Sequence, residues 1–147
     1  MKVINNEYNF SFEIPDGFEE IAREDYSKYH INDGSTLNIF IKFDGDKPHT
    51  ISLNRDEEAN DEKEYMDLVL LNLQNMEKIG LHVTEHLHQT MNNRRVDIVY
   101  SHFKRIKYVT YFTVIRKMMV ACSAEIQEIN DENDQILEKM FESIEEI

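Results

Sequence analysis

The stretch YNFSFEI, residues 8–14, alternates apolar and polar positions without a break. Tyr8, Phe10, Phe12 and Ile14 fall on one side, and Asn9, Ser11 and Glu13 on the other, the period of a half-buried strand. The preceding NNE can turn a short leading strand, Lys2 to Asn5, into a hairpin. PDG at 15–17 ends the strand, and residues 18–28 are expected to hold a helical turn. NDG at 32–34 is a turn signal. STLNIFIKF follows as a strand with Leu37, Ile39, Ile41 and Phe43 on one face. DGDKP breaks it, and HTISLN reads as another strand.

Residues 61–79 carry the clearest helical period. Asn60 or Asp61 can cap the helix, acids crowd its first turn, and Gly80 stops it. Its apolar stripe runs Tyr65, Met66, Val69, Leu73, Met76, Ile79, widened by Leu68, Leu70 and Leu71, which suits a helix lying on a sheet. Four strands follow, at about 81–89, 94–103, 107–115 and 118–126. Their turns fall at Asn92-Asn93, the KRI region and Arg116-Lys117. A last helix starts near Asn130 or Asp131, with Ile136, Leu137, Met140, Phe141, Ile144 and Ile147 on one face. The chain has 147 residues and no repeat or linker, which predicts a single domain over 1–147.

The order of elements, with YNFSFEIPDGF (8–18), IGLHVTE (79–85), the MNNRRVDIVYSHF hairpin (91–103) and the closing helix, resembles the PsbP-like superfamily. That superfamily includes the photosystem II extrinsic subunit P, a Ran-binding import factor and many small bacterial proteins. The resemblance covers nearly the whole chain. It implies an α+β fold, a mostly antiparallel sheet flanked by helices in an α/β/α sandwich. It implies no catalytic residue, because the superfamily has no shared catalytic motif. Bacterial relatives include lipoproteins, whose anchoring cysteine this N-terminus lacks. Others resemble chaperones of secretion-system effectors, which hold apolar segments of a client.

Composition narrows the partners. The net charge of −13 repels phosphate backbones and anionic lipid surfaces, so neither nucleic acid nor membrane is expected as a partner. Basic protein surfaces would be attracted. The lone Cys122 cannot form an intrachain disulfide, which fits a reducing cytoplasm. MKVINNEYNF has neither the apolar run nor the flanks of a signal peptide, and apolar runs such as LVLL are too short to span a bilayer. No cofactor motif is present, neither a Walker loop nor Gly-x-Ser-x-Gly. The acidic RDEEANDEKE fails the calcium-loop pattern, since Asp61 stands where an EF-hand loop starting at Asp56 needs glycine.

LHVTEHLHQT, residues 81–90, holds three histidines. If Asn92-Asn93 is a two-residue turn, position 91 pairs with 94, His88 faces Asp97, and Leu87 faces Ile98. His86, His88 and Asp97 then share a face and form a candidate metal set, though zinc usually wants four ligands and no fourth suggests itself. Asp97 could instead orient His88, or the pair could simply be a cross-strand contact on a polar face. His82 lies too far along the strand to join, and His102 falls on the opposite face in this register. Leu81, Val83, Leu87, Val96, Ile98 and Tyr100 make the surface for the helices, joined by Val109, Tyr111, Ile115, Met118, Val120 and Cys122. The other face gathers Val99, Phe103, Tyr108, Phe112, Val114 and Met119 beside the histidines. A mixed apolar face rimmed by polar groups marks an interaction site unless another segment covers it. Three readings follow. The first is a non-enzymatic accessory protein that binds a protein partner, or a second copy in a homodimer, through Val99, Phe103, Tyr108 and Phe112. The second is a secretion-effector chaperone, and the third a metal-binding protein or metal-dependent hydrolase built on His86 and His88.

Overall fold

The computed structural model describes residues 1–29 and 34–147. The turn expected at 32–34 lies outside these except for Gly34. Among the described residues, ten strands and two α-helices follow one another: β1 (Lys2–Asn5), β2 (Phe10–Glu13), β3 (Glu19–Glu20), β4 (Thr36–Asp44), β5 (Lys47–Glu58), α1 (Glu62–Lys78), β6 (His82–Met91), β7 (Arg94–Phe103), β8 (Ile106–Ile115), β9 (Met118–Ile126), α2 (Glu132–Glu142) and β10 (Glu145–Glu146). A 3-10 helix, Arg23–Tyr29, supplies the helical turn expected after Pro15-Asp16-Gly17. Seven antiparallel strands form the main sheet in the order β3-β4-β5-β9-β8-β7-β6, and β1-β2-β10 form a smaller one.

The meander follows from its turns. Asn92 and Asn93 have φ of 50° and 63°, and Arg116 and Lys117 have φ of 48° and 63°. Two consecutive left-handed residues match the twist of the flanking strands. Met91 therefore pairs with Arg94, His88 with Asp97 and Leu87 with Ile98, as the sequence predicts.

The sheet is covered on both faces. On one, α2 and the small sheet bury Phe10, Phe12, Leu137 and Phe141 against Val96, Ile98, Val109 and Tyr111. On the other, α1 lays Tyr65 and Val69 over Val99, Phe112 and Met119. Both helices were expected on the first face. The second attracts α1 because its own apolar side chains would otherwise stay wet, and each one buried is worth about 1.5–3 kcal/mol. Each helix begins on an aspartate cap: Asp61 Oδ1 accepts from Glu64 N at 2.8 Å, and Asp131 Oδ1 from Asp134 N at 3.1 Å.

Three local expectations need correction. Asn9 has φ of 56°, so it and Tyr8 belong to the turn and the strand begins at Phe10. In β4 the register shifts between Thr36 and Asn38. Leu37 and Phe40 thus enter the main core, while Ile39 and Ile41 meet Ile21 and Tyr26 on the other face, and Phe43 is left 59% exposed. In β6 a second bulge lies between Val83 and Glu85. It turns Val83 toward α1 and sets His82 opposite His102, with ring centroids 5.3 Å apart, on what strict alternation makes opposite faces. Among the described residues no helix is long and apolar enough to cross a membrane.

Candidate functional site

The last turn of α1 ends in a Schellman motif. Gly80 N donates to Glu77 O at 3.1 Å and Leu81 N to Met76 O at 2.8 Å, with Gly80 at φ of +92°. The apolar side chains of that motif, Met76 and Leu81, form one wall of a pocket together with Ile79. Phe103 and Tyr108, from the end of the β7–β8 hairpin, form the opposite wall. The cavity measures about 430 Å³, within the range of small-ligand and side-chain sites. Its mouth is apolar and open: Ile79 is 72% exposed and Phe103 42%.

The floor is made of hydroxyls. Thr110 and Ser123 face each other across β8 and β9 with their oxygens 2.8 Å apart. Ser101, cross-strand to Tyr108, is buried, and its Oγ has no hydrogen-bond partner. An unpaired buried hydroxyl costs about 1–3 kcal/mol. Small side chains here leave the gap that α1 does not fill, since the helix ends above it. Gly80 sets one dimension of that gap. A Cβ at this position would lie 3.3 Å from the Phe103 ring, and the backbone is left-handed. Gly80→Ala is therefore expected to cost about 1–2 kcal/mol and to displace Phe103. Thermal unfolding and the Phe103 ring resonances would measure both; an unchanged melt would refute the strain.

The histidines serve a different structure. Asp97 is fully buried and accepts from Tyr65 Oη at 2.7 Å, Arg95 Nε at 3.0 Å and His86 Nε2 at 2.7 Å. An ionised carboxylate only accepts, so this last bond fixes a proton on His86 Nε2. Burial raises the Asp97 carboxyl, but the hydrogen bonds from Tyr65, Arg95 and His86 outweigh it and hold it below the ordinary carboxylate range. Burial, then the bond to Asp97, pushes the Tyr65 phenol well above its usual value, which keeps it a donor. Asp97 thus takes the diagonal neighbour His86 rather than orienting His88, which is exposed. Its oxygens point at three donors, and among the described residues no group of three or more His, Cys, Asp or Glu is arranged to hold a metal ion. Arg95 also reaches Glu62 at 3.1 Å, which ties the start of α1 to the sheet.

No family model matches the sequence, and no curated protein matches it. Solved structures do match the fold. The solution structure of cyanobacterial PsbP (CyanoP) from Synechocystis sp. PCC 6803 aligns over 100% of this chain and 92% of its own, with a TM-score of 0.68 at 8% identity. This chain has a PsbP-like fold. A crystal structure from Bacteroides thetaiotaomicron VPI-5482 aligns over 99% of this chain but 48% of its own, with a TM-score of 0.53 at 14% identity.

Within this PsbP-like sheet, the four residues expected to bind a partner divide into two pairs. Phe103 and Tyr108 line the open pocket, while Val99 and Phe112 are sealed beneath α1, at 0% and 1% exposure. Sequence reasoning missed the helix-end wall and the hydroxyl floor. The register carried the signal for the floor: Thr110 and Ser123 are directly cross-strand and Ser101 is diagonal to Thr110, three small polar residues on the face that otherwise reads Val99, Phe112, Met119. Cys122 lies in the opposite core, where burial pushes its thiol up and leaves it a poor nucleophile.

Proposed function

We propose that this chain is a non-enzymatic binding protein that grips a protein partner through the pocket between the end of α1 and the β7–β8 hairpin. The observation that carries this reading is the open apolar mouth, Ile79 and Phe103, above a buried hydroxyl without a partner. A fold that has covered both sheet faces has little reason to leave this gap lined and open. Hydroxyls at the floor could suggest a nucleophile. Activation needs a base, and neither histidine nor carboxylate is among the residues that line the pocket.

The test is a pulldown from source-organism lysate, comparing the wild type with Phe103→Asp. Phe103 is 42% exposed, so the variant is expected to fold and to lose the partner. Recovery of the same proteins by both would overturn the reading. Phe112→Asp is no substitute, because it would bury a charge under α1 and unfold the protein. A second copy of the chain as the captured species would make the pocket a homodimer contact.

A further inference from the structure

The hairpin beside the pocket departs from the charge of the molecule. The chain carries −13, yet Lys104, Arg105 and Lys107 fall within four positions at the β7–β8 turn, and Lys78 ends the helix that walls the pocket. All four are exposed. None makes an ion pair among the described residues; Lys2, Lys42, Lys117 and Lys139 share that state, so what sets these four apart is their grouping at one end of the sheet beside the pocket. Lys104 Nζ sits 5.3 Å from the centroid of the Phe103 ring, so positive charge lies on the apolar wall itself. Glu77, the acid next to Lys78, is engaged by the Val83 N–H at 2.9 Å and by His82 at 3.3 Å. Glu125, cross-strand to Tyr108, bounds the basic rim on the far side. Lys107 pairs with His102 on the other face and adds to the field from there.

We propose that the pocket takes an apolar anchor residue from an acidic segment of the partner protein, with the flanking carboxylates on Lys78, Lys104 and Arg105. The proposal rests on the binding reading above and names the class of partner. It reverses what the net charge alone predicts, a basic partner. The local field decides because charges farther than about 8–10 Å are screened at physiological salt. A narrow segment meets only the tip. An anionic bilayer would face the whole acidic surface and be repelled, which disfavours the other ligand of a basic, apolar hairpin. The floor sharpens the anchor: Ser101 Oγ needs a polar atom, which an anchor with an apolar body and a polar end, such as tyrosine, would bring.

The experiment is a titration of the full chain by fluorescence anisotropy. The probes are labelled peptides with one central Tyr, Phe or Leu flanked by Asp and Glu, and the same peptides with Lys and Arg as flanks. The acidic peptides should bind and the basic ones should not. The double variant Lys104→Glu, Arg105→Glu should weaken binding about tenfold or more, and added salt should weaken it in the wild type. Ser101→Ala should weaken the tyrosine peptide and leave the leucine peptide unchanged. Its melting temperature should hold or rise, where a structural hydroxyl would lower it. Equal binding of basic peptides, indifference to charge reversal, or no acidic peptide bound at about millimolar concentration would overturn the proposal. So would charge-dependent binding to phosphatidylglycerol vesicles without peptide binding, which would make the tip a membrane contact. A pulldown partner lost on Phe103→Asp but retained on the charge-reversed variant would leave the binding reading standing and defeat this one alone.

Discussion

Replacing Asp134 by alanine is expected to destabilise the protein by about 3–5 kcal/mol, close to the effect of breaking a buried ion pair. Asp134 is 2% exposed in the first turn of α2. It accepts from Tyr111 Oη at 2.7 Å, from Tyr100 Oη at 2.9 Å, and from its own loop through Asn130 N at 2.8 Å. Alanine leaves the Tyr100 phenol and the Asn130 amide without an acceptor and the Tyr111 phenol with only the backbone Asp134 O at 3.4 Å, each loss costing about 1–3 kcal/mol before relaxation. Burial, reinforced by the bond to Asp134, pushes both phenols well above their ordinary value, so neither can escape the loss by ionising. For a chain of this size the melting temperature should fall by about 10 °C. Urea unfolding monitored by far-UV circular dichroism would read it directly, and a loss below about 1 kcal/mol would show that the clamp is not needed. Asn at the same position keeps one acceptor and should cost visibly less.

The second large effect is expected at Asp97, and it carries a pH signature. Asp97→Asn leaves Arg95 with Glu62 as its remaining carboxylate partner and turns an acceptor facing three donor residues into a partial donor. A loss of about 2–4 kcal/mol at neutral pH is expected. The folded carboxyl lies below its unfolded value because its donors outweigh its burial. Its contribution is therefore fully present above the unfolded carboxylate pKa and is lost as pH falls through the lower folded one. Wild type and variant should converge in stability below about pH 4. A gap that stayed constant from neutral to acid would mean the carboxylate charge is not what matters. His86, Arg95 and Tyr65 face the group, and the comparison with Asn cancels the rest of the acidic surface.

The two clamps explain why much of the fold was legible and part of the site was not. The pairing of β6 with β7 from Leu87 to Met91, and the faces of β8 and β9, could be read because two-residue turns at Asn92-Asn93 and Arg116-Lys117 lock the count, and strict alternation then sorts Tyr111 from Phe112. The first bulge, between Thr36 and Asn38, and the second, at Thr84, lie within otherwise regular strands and have no glycine to mark them. Every face assignment beyond them flipped, which misplaced Leu37, Val83 and His82. The choice of sheet face for α1 was likewise invisible. Its stripe fits either face, and the deciding contacts, Tyr65 to Asp97 and to Phe112 O, link residues 32 and 47 positions apart. The pocket was half legible: Phe103 and Tyr108 stand out as aromatics on a mixed face, but the wall at Met76 and Ile79 exists only because α1 stops where it does.

The bulge at Thr84 has a consequence for solubility. β6 is one outer strand of the seven-stranded sheet and β3, two residues long, is the other. Outer strands carry backbone groups able to recruit another chain. β3 is too short to serve as a template. β6 is long enough, but the surplus residue at Thr84 breaks its hydrogen-bonding rhythm beside the charged Glu85 and the exposed His88. The same irregularity that brings His82 to His102 thus protects the sheet against growing into a fibril, one strand at a time.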